Sequence, residues 1–397
     1  MEILPGTEPM QERLRMAGIE KAEDGLELYI HIPFCVKKCD YCDFLSGPAS
    51  QARQKAYIRA VLTEIQNLGN IRERPVDTLF IGGGTPSVLE PGLMEELLAE
   101  LSRSFRISTE AEFTIEANPG TLTPEKLALY RQYGINRISI GLQSPKNREL
   151  VSLGRIHSYE QFLESFHLAR KSGFSNINVD LMCAIPGQTR EGWAENLRTT
   201  ASLGPEHISA YSLIVEEGTP FAKRSLALPD EDTEYQMYED TADILAGYGY
   251  GQYEISNYAR EGCACRHNIG YWQRRDYLGI GLGAASLLEN QRFSNTRDME
   301  KYLKKSRCPG ELREEVQFLG KEDEMAEFMF LGLRMTRGVR KTEFRKNFGM
   351  PIESVYGKTI EKYKRLELLK EQEDRIFLTR RGIHVSNVVM ADFLPEG

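Results

Sequence analysis

The sequence predicts an α/β protein in which a parallel barrel of six βα units is followed by a separate C-terminal α+β unit. Short apolar segments alternate with amphipathic helical patterns from residue 26 to about residue 214, and repeated βα units form parallel sheets. From about residue 322 the pattern changes to short helices followed by a strand. A chain of 397 residues is long enough for two domains or more, each with its own core.

Each strand of the barrel is predicted from a short apolar run, and each helix from apolar residues at helical spacing. Several helices begin behind Pro, Ser or Thr, as at Thr123-Pro124-Glu125. The predicted strands are 26–32, 76–81, 112–116, 137–141, 176–181 and 207–212. The predicted helices between them lie near 52–68, 91–104, 124–133, 158–172 and 190–203.

The residues at the strand ends favour a barrel over an open sheet. All six strand ends of a parallel barrel point to one face, where active sites lie. Polar residues, cysteines or glycines stand at each of these ends. In order along the chain they are Cys35, Cys39 and Cys42, then Gly82 to Thr85, Glu116 with Asn118, Gln143 with Ser144, Asp180, and Tyr211.

The chain after the barrel is predicted to contain a strand with a turn at 249–259 and a glycine-studded strand and turn at 276–286. The latter could return to the barrel site. The C-terminal unit is predicted as helices 322–335, 341–348 and 352–370, a strand at 374–379 and a last helix near 380–392, which resembles a winged-helix-like module. The predicted domain limits are 1–25, 26–240, 241–315 and 316–397.

Composition narrows the class of protein. Hydrophobic and charged contents of 41% and 27% are ordinary for a soluble globular protein, and no apolar run is long enough to span a membrane. The N-terminus lacks the pattern of a signal peptide, so we expect a cytoplasmic protein. A net charge of −8 argues against nucleic-acid binding. The C-terminal unit is locally basic, which admits that hypothesis there, but a solvated face is the interpretation we favour.

Three of the seven cysteines, Cys35, Cys39 and Cys42, lie just after the first strand. A 4Fe-4S cluster is normally held by four thiolates, so three leave one iron open for an exchangeable ligand. The alternatives are a zinc site that borrows a histidine, or buried apolar cysteines. The spacing therefore predicts one metal centre.

The run Cys-x3-Cys-x2-Cys, with the aromatic Tyr41 before the last cysteine, resembles the signature of radical S-adenosylmethionine (SAM) enzymes. The resemblance implies a partial (β/α)6 barrel with its mouth open on one side. It also implies that the methionine moiety of SAM chelates the open iron, and that one electron from the cluster cleaves the sulfonium to a 5′-deoxyadenosyl radical.

The strand-end residues then become candidates for holding SAM. The resemblance assigns the glycine loop to the methionine amino group, while carboxylates and Gln143 suit ribose hydroxyls and Arg155 suits the SAM carboxylate. The alternatives are that the glycines form only a tight turn, and that Glu116, Arg155 and Asp180 pair with one another. The predicted cofactor-binding residues are Tyr29, Tyr41, Gly83, Gly84, Thr85, Glu116, Gln143, Arg155 and Asp180.

A second motif lies outside the barrel. His267, Asn268, Tyr271 and Trp272 reproduce a His-Asn-x-x-Tyr-Trp pattern that resembles heme chaperones of the HemW type. Neutral imidazole ligates iron and aromatic neighbours suit a porphyrin, so His267 is the predicted heme ligand. Without the resemblance, a histidine between aromatic residues is more often structural. For the nearby Cys263 and Cys265 two alternatives stay open, a further metal ligand or an inert role.

The resemblance covers the chain from residue 26 to its last helix and includes a relative of different activity, the oxygen-independent coproporphyrinogen III oxidase. Such oxidases carry a fourth cysteine where this chain has Phe44, and a longer N-terminal extension. Both differences favour the chaperone, with the oxidase as runner-up and a binding module with idle cysteines third. We therefore expect a protein that binds a 4Fe-4S cluster, SAM and heme. It would pass heme to acceptor heme proteins such as respiratory enzymes, some at a membrane surface.

Overall fold

The computed structural model describes residues 25–395, so the predicted N-terminal segment lies almost wholly outside the described residues. Its main element is a twelve-stranded sheet that begins with six parallel strands joined by helices, which confirms the predicted βα units. These strands are β1 Leu26–Ile32, β2 Pro75–Gly83, β3 Arg106–Ala117, β4 Arg137–Gln143, β5 Ile177–Cys183 and β6 His207–Ser212.

Helices connect these strands and cover the outside of the sheet. Between β4 and β5 a short helix, Asn147–Ser152, which the sequence pattern did not indicate, precedes the predicted one. The other helices match the predicted positions. In chain order the connecting α-helices are Gln51–Gln66, Pro91–Ser104, Pro124–Gln132, Asn147–Ser152, Tyr159–Lys171 and Arg190–Ser202. Apolar side chains of these helices and of the strands form one continuous core, in which Trp193, Tyr57 and Phe162 are among the largest fully buried residues.

The sheet does not close into a complete barrel. Its strand order is β12-β11-β10-β9-β1-β2-β3-β4-β5-β6-β8-β7, so additional strands extend both edges of the parallel part. On one side β9 pairs parallel with β1, and on the other β8 pairs antiparallel with β6. The additional strands are β7 Gly251–Gln252, β8 Asn257–Ala259, β9 Tyr277–Ile280, β10 Ala285–Leu288, β11 Gln291–Asn295 and β12 Arg313–Phe318.

The first half of segment 276–286 is β9, which joins the parallel part of the sheet beside β1, and its predicted return to the cofactor site stays a prediction. Gly281, directly after β9, has φ of +109°, a backbone conformation that residues with a side chain rarely adopt. The helices of this part of the chain are Glu231–Gly247, Arg266–Trp272, Met299–Lys305 and Pro309–Leu312. Within residues 25–395, every helix is too short or too polar to cross a membrane.

The C-terminal unit has its own apolar core and a small sheet of order β13-β15-β14. Its strands are β13 Val339–Arg340, β14 Leu369–Gln372 and β15 Arg375–Leu378. Its helices are Lys321–Gly332, Lys341–Phe348, Glu353–Arg365, Arg380–His384 and Ser386–Ala391. Helices around a small antiparallel sheet agree with the predicted α+β class.

Two element predictions in this unit were wrong. The predicted helix 352–370 ends at Arg365, and Glu367 with φ of +58° turns the chain into β14. β14 and β15 then form a hairpin in which Gln372 pairs with Arg375. The predicted last helix near 380–392 is two helices, interrupted at Val385. The leucines at 366, 368 and 369 fit the apolar spacing of a helix as well as that of a strand. The pairing of β14 with β15 therefore decides that this segment is a strand.

Candidate functional site

The three clustered cysteines lie in the segment between β1 and the following helix, residues 33–50, here named the cysteine loop. Its ends are tied together, since the Cys35 amide donates to the Gly47 carbonyl at 3.1 Å and the Gly47 amide to the Pro33 carbonyl at 3.0 Å. Cys35, Cys39 and Cys42 are all half-buried and line a cavity of about 500 Å3, named the main cavity. Partial burial raises the pKa of the Cys35 and Cys42 thiols.

This donor set fits an iron–sulfur cluster better than a single metal ion. Among residues 25–395, no three His, Cys, Asp or Glu side chains converge closely enough to hold one ion, as a zinc site requires. In a 4Fe-4S cluster each cysteine binds a different iron, so the sulfurs need only surround a common space. Three thiols around the main cavity meet that requirement.

The glycine loop after β2 forms a second wall of the main cavity. Gly83 has φ of +114°, and a Cβ there would lie 2.6 Å from the His31 ring. A Cβ on Gly84 would lie 2.6 Å from the carbonyl oxygen of Phe34. The chain thus needs glycine at both positions to bring this backbone against the cysteine loop. The Gly83 amide donates to Glu116 Oε2 at 3.0 Å.

Arg155 lies between the cysteine loop and the strand ends. Its Nη2 donates to Asn118 Oδ1 at 2.8 Å and to the Gly141 carbonyl at 2.7 Å. Its Nη1 donates to Cys39 Sγ at 3.6 Å and to the Tyr41 hydroxyl at 3.4 Å. Arg155 therefore brings a positive charge to the cysteines and pairs with neither Glu116 nor Asp180.

Glu116 and Asp180 form the acidic wall of the main cavity. Burial, and next the negative charge of Asp180, raise the pKa of Glu116 to about 8. Burial also raises the pKa of Asp180, although Asn178 Nδ2 at 2.7 Å and Ser139 Oγ at 3.1 Å donate hydrogen bonds to it. Two carboxyl groups without a paired cation can accept hydrogen bonds from a polyhydroxyl ligand or share a proton.

The remaining polar contacts join neighbouring strand ends. Gln143, in a left-handed conformation with φ of +69°, accepts a hydrogen bond on Oε1 from the Tyr211 hydroxyl at 3.1 Å. Non-glycine residues in the left-handed conformation are concentrated at functional sites.

A further hydrogen bond joins the glycine loop to the end of β3, because Thr85 Oγ1 accepts from Asn118 Nδ2 at 2.7 Å. Asn118 thus connects the glycine loop to Arg155, a role that sequence analysis did not assign to it.

Tyr29 is the predicted SAM residue that does not line the main cavity. Its hydroxyl lies 3.0 Å from His31 Nδ1, and its ring stacks on Phe80 with the centroids 6.3 Å apart. It lines a neighbouring space of about 310 Å3, which also contacts Gly83, Glu116 and Phe44. The other predicted SAM residues and the three cysteines all line the main cavity.

His267 is buried outside the main cavity and both of its ring nitrogens are engaged. Nδ1 lies 2.7 Å from Thr78 Oγ1, Nε2 lies 2.9 Å from the Tyr271 hydroxyl, and the ring stacks on Phe80. Burial lowers the pKa of His267 to about 3, so the ring is neutral. This geometry matches the structural alternative, and a role as heme ligand would require one of these bonds to be given up.

The neighbours of His267 have structural surroundings too. Trp272 stacks under the Arg334 guanidinium at 4.3 Å, and the buried Cys265 thiol donates to Glu112 Oε1 at 3.3 Å. Asn268 alone of the four motif residues lines the main cavity. Neither Cys263 nor Cys265 does so.

Arg137 is a site residue that sequence analysis missed. It is the first residue of β4, is only 2% exposed, and lines the main cavity near Asp180. It forms no ion pair within the described part of the chain, and its Nε has no hydrogen-bond partner. A buried arginine at the start of an otherwise apolar strand was the available signal, because such a charge is costly unless it is compensated.

Comparisons with known proteins agree with this architecture. The family model of the radical SAM superfamily matches residues 29–199, and that of the HemN C-terminal domain matches residues 319–385. The chain is 38% identical to the heme chaperone HemW of Lactococcus lactis, over 93% of this chain and 97% of that protein. It is 35% identical to the heme chaperone HemW of Bacillus subtilis, over 93% and 99%.

A solved structure shows the same fold at lower identity. Coproporphyrinogen III oxidase (HemN) from Escherichia coli, a radical SAM enzyme, superposes with a TM-score of 0.83 at 23% identity. The superposition covers 96% of this chain and 93% of that one. The predicted fold class is thereby confirmed over nearly the whole length.

Proposed function

The chain belongs to the HemW family of heme chaperones within the radical SAM superfamily, and from this premise we propose that it binds heme and transfers it to acceptor heme proteins. The observation that carries the proposal is the identity to chaperones over more than nine-tenths of both chains. Acceptors such as respiratory enzymes, some at a membrane surface, and a cytoplasmic location belong to the same proposal. Free, clustered thiols are usual in a reducing compartment.

The superfamily cofactors are a 4Fe-4S cluster and SAM, and the main cavity has the residues to hold both. Cys35, Cys39 and Cys42 would ligate the cluster. When bound to such a cluster, SAM supplies one-electron cleavage chemistry.

The polar walls of the main cavity suit the parts of SAM. Arg155 is beside Cys39, so its Nη1 would bind the carboxylate of a ligand on the cluster in exchange for its present contacts with Cys39 and Tyr41. Glu116, Asp180 and Gln143 supply acceptors for hydroxyl and amino groups on the opposite wall. Tyr41, Gly83, Gly84 and Thr85 shape the space between these walls.

The test is heme transfer by the anaerobically reconstituted protein. We expect ferric heme to bind and then to pass to apomyoglobin, used as a spectroscopic acceptor. The control is a triple variant with Cys35, Cys39 and Cys42 all changed to Ala, which separates heme binding from cluster content. Absence of heme binding by the wild-type protein would overturn the proposal.

A second measurement separates the chaperone from its oxidase relative. With cluster, reductant and SAM supplied, we expect no conversion of coproporphyrinogen III to protoporphyrinogen IX. Phe44 stands where oxidases carry a further cysteine, and its side chain is exposed to solvent. Turnover above a control without protein would favour the oxidase.

A further inference from the structure

The mouth of the main cavity is apolar although its inner walls are polar. Phe44, in the cysteine loop, and Ile214, after β6, line the cavity and are 64% and 69% exposed. Scattered apolar side chains are normal on protein surfaces, but apolar side chains that share one cavity mouth mark a binding site.

Two cations stand at the same mouth. Lys37 and Lys38 are exposed and line the main cavity, and within residues 25–395 neither forms an ion pair. Lys38 Nζ donates to the Phe44 carbonyl at 2.8 Å, so its position is fixed relative to the apolar rim. Asp43 and Glu216 also line the cavity, which leaves the mouth with both signs of charge.

We propose that heme docks across this mouth, with one face of its macrocycle on Phe44 and Ile214 and a propionate directed to Lys37. The inference rests on the proposed function and gives it a location. A flat apolar ring with carboxylates at its edge matches an apolar rim with an unpaired lysine. A cavity of about 500 Å3 has the size of a binding site for one small ligand. The cluster and SAM would occupy this space, so the mouth is the part of the cavity that remains for heme.

This location does not depend on His267. The two bonds that hold the imidazole can stay intact, and the macrocycle binds through surface that is already exposed. The docked ring would also lie close to the cysteine loop. Heme binding and cluster content should therefore influence each other.

The first test compares two exposed phenylalanines. Phe318 is 82% exposed on β12 and does not line the main cavity, so Phe318→Ala is a matched control for Phe44→Ala. Titration of the reconstituted protein with ferric heme should give a Kd raised by about tenfold in F44A and unchanged in F318A, since covering one aromatic ring accounts for that factor. Iron and sulfide content is measured on the same samples.

A second variant keeps the test decisive if F44A loses its cluster. Ile214→Ala changes the other exposed apolar residue that lines the cavity and lies outside the cysteine loop, and it should also weaken heme binding severalfold. Equal heme affinity in the wild type, I214A and F318A would overturn the docking position. If the wild type itself binds no heme, the proposed function fails instead.

The lysine is tested with a ligand that lacks carboxylates. Heme dimethyl ester should bind the wild type more weakly than heme, and Lys37→Gln should reduce that difference. Lys55→Gln is the control, because Lys55 is exposed on the next helix and does not line the cavity. Ester and heme binding with equal affinity to the wild type would show that the propionate does not contact Lys37.

Discussion

The cysteine loop and the segment 267–272 both contain side chains that suit iron, yet their surroundings differ. In the cysteine loop three half-buried thiols face the main cavity. In the segment 267–272 the single imidazole is packed against Phe80 and bonded at both nitrogens. A metal site needs donors with free lone pairs and space for the metal, and of these two regions the cysteine loop provides both.

The largest expected effect separates the two regions by cluster content. Cys39→Ala should abolish the 4Fe-4S cluster, because two remaining thiolates cannot hold the same set of irons. His267→Ala should keep it. Iron and sulfide analysis with EPR after anaerobic reconstitution is the measurement. An intact cluster in C39A would remove the distinction between the two regions.

The next effect concerns stability. His267→Ala leaves Thr78 Oγ1 and the Tyr271 hydroxyl without their partner and opens a cavity beneath Phe80. We expect the free energy of unfolding of the barrel to fall by about 2–4 kcal/mol, measured by urea denaturation of the apoprotein. Heme affinity should stay near that of the wild type. The opposite pattern, normal stability with a shifted Soret band and faster heme loss, would identify His267 as a ligand.

A third expected effect is a change in the pH dependence of stability at the acidic wall. The pKa of Glu116 is about 8 in the folded protein, against an ordinary value near 4.5. The folded protein therefore binds the proton of the Glu116 carboxyl more tightly than the unfolded chain does. The stability that this protonated carboxyl contributes is present below about pH 4.5 and is lost as the pH rises to about 8. Glu116→Gln should remove that part of the decline. The measurement is the midpoint of urea denaturation at several pH values in this range. An identical change of the midpoint with pH in the wild type and in E116Q would contradict the assignment.

The elements that could be predicted were those whose signal is local. Strand positions in the barrel followed from short apolar runs, and the three cysteines from their spacing in one loop. β14 was missed because the run from Leu366 to Leu369 fits a helix as well as a strand, and pairing with β15 decides it. β3 begins at Arg106, before the predicted 112, since its first half is largely exposed and polar.

The site residues also divide into those with a local signal in the sequence and those whose role depends on distant parts of the chain. Most of the strand-end residues could be placed around one cavity from topology alone. The partners of Arg155, the burial of Arg137 and the closed environment of His267 depend on strands that are distant in sequence. Thr78 and Phe80, which hold the imidazole, belong to β2, and neither carries any signal in the sequence near residue 267.

The position of β1 has a consequence for synthesis on the ribosome. The cysteine loop leaves the end of β1, and β1 has β2 on one side and β9 on the other. β2 is made soon after β1, but the opposite edge stays uncovered until residue 280 has emerged. An unpaired strand edge is a template for pairing with other chains. Nascent chains released before that residue should therefore aggregate through the uncovered edge of β1, directly before the cysteine loop, and cluster delivery is safest once the second half of the chain has been translated.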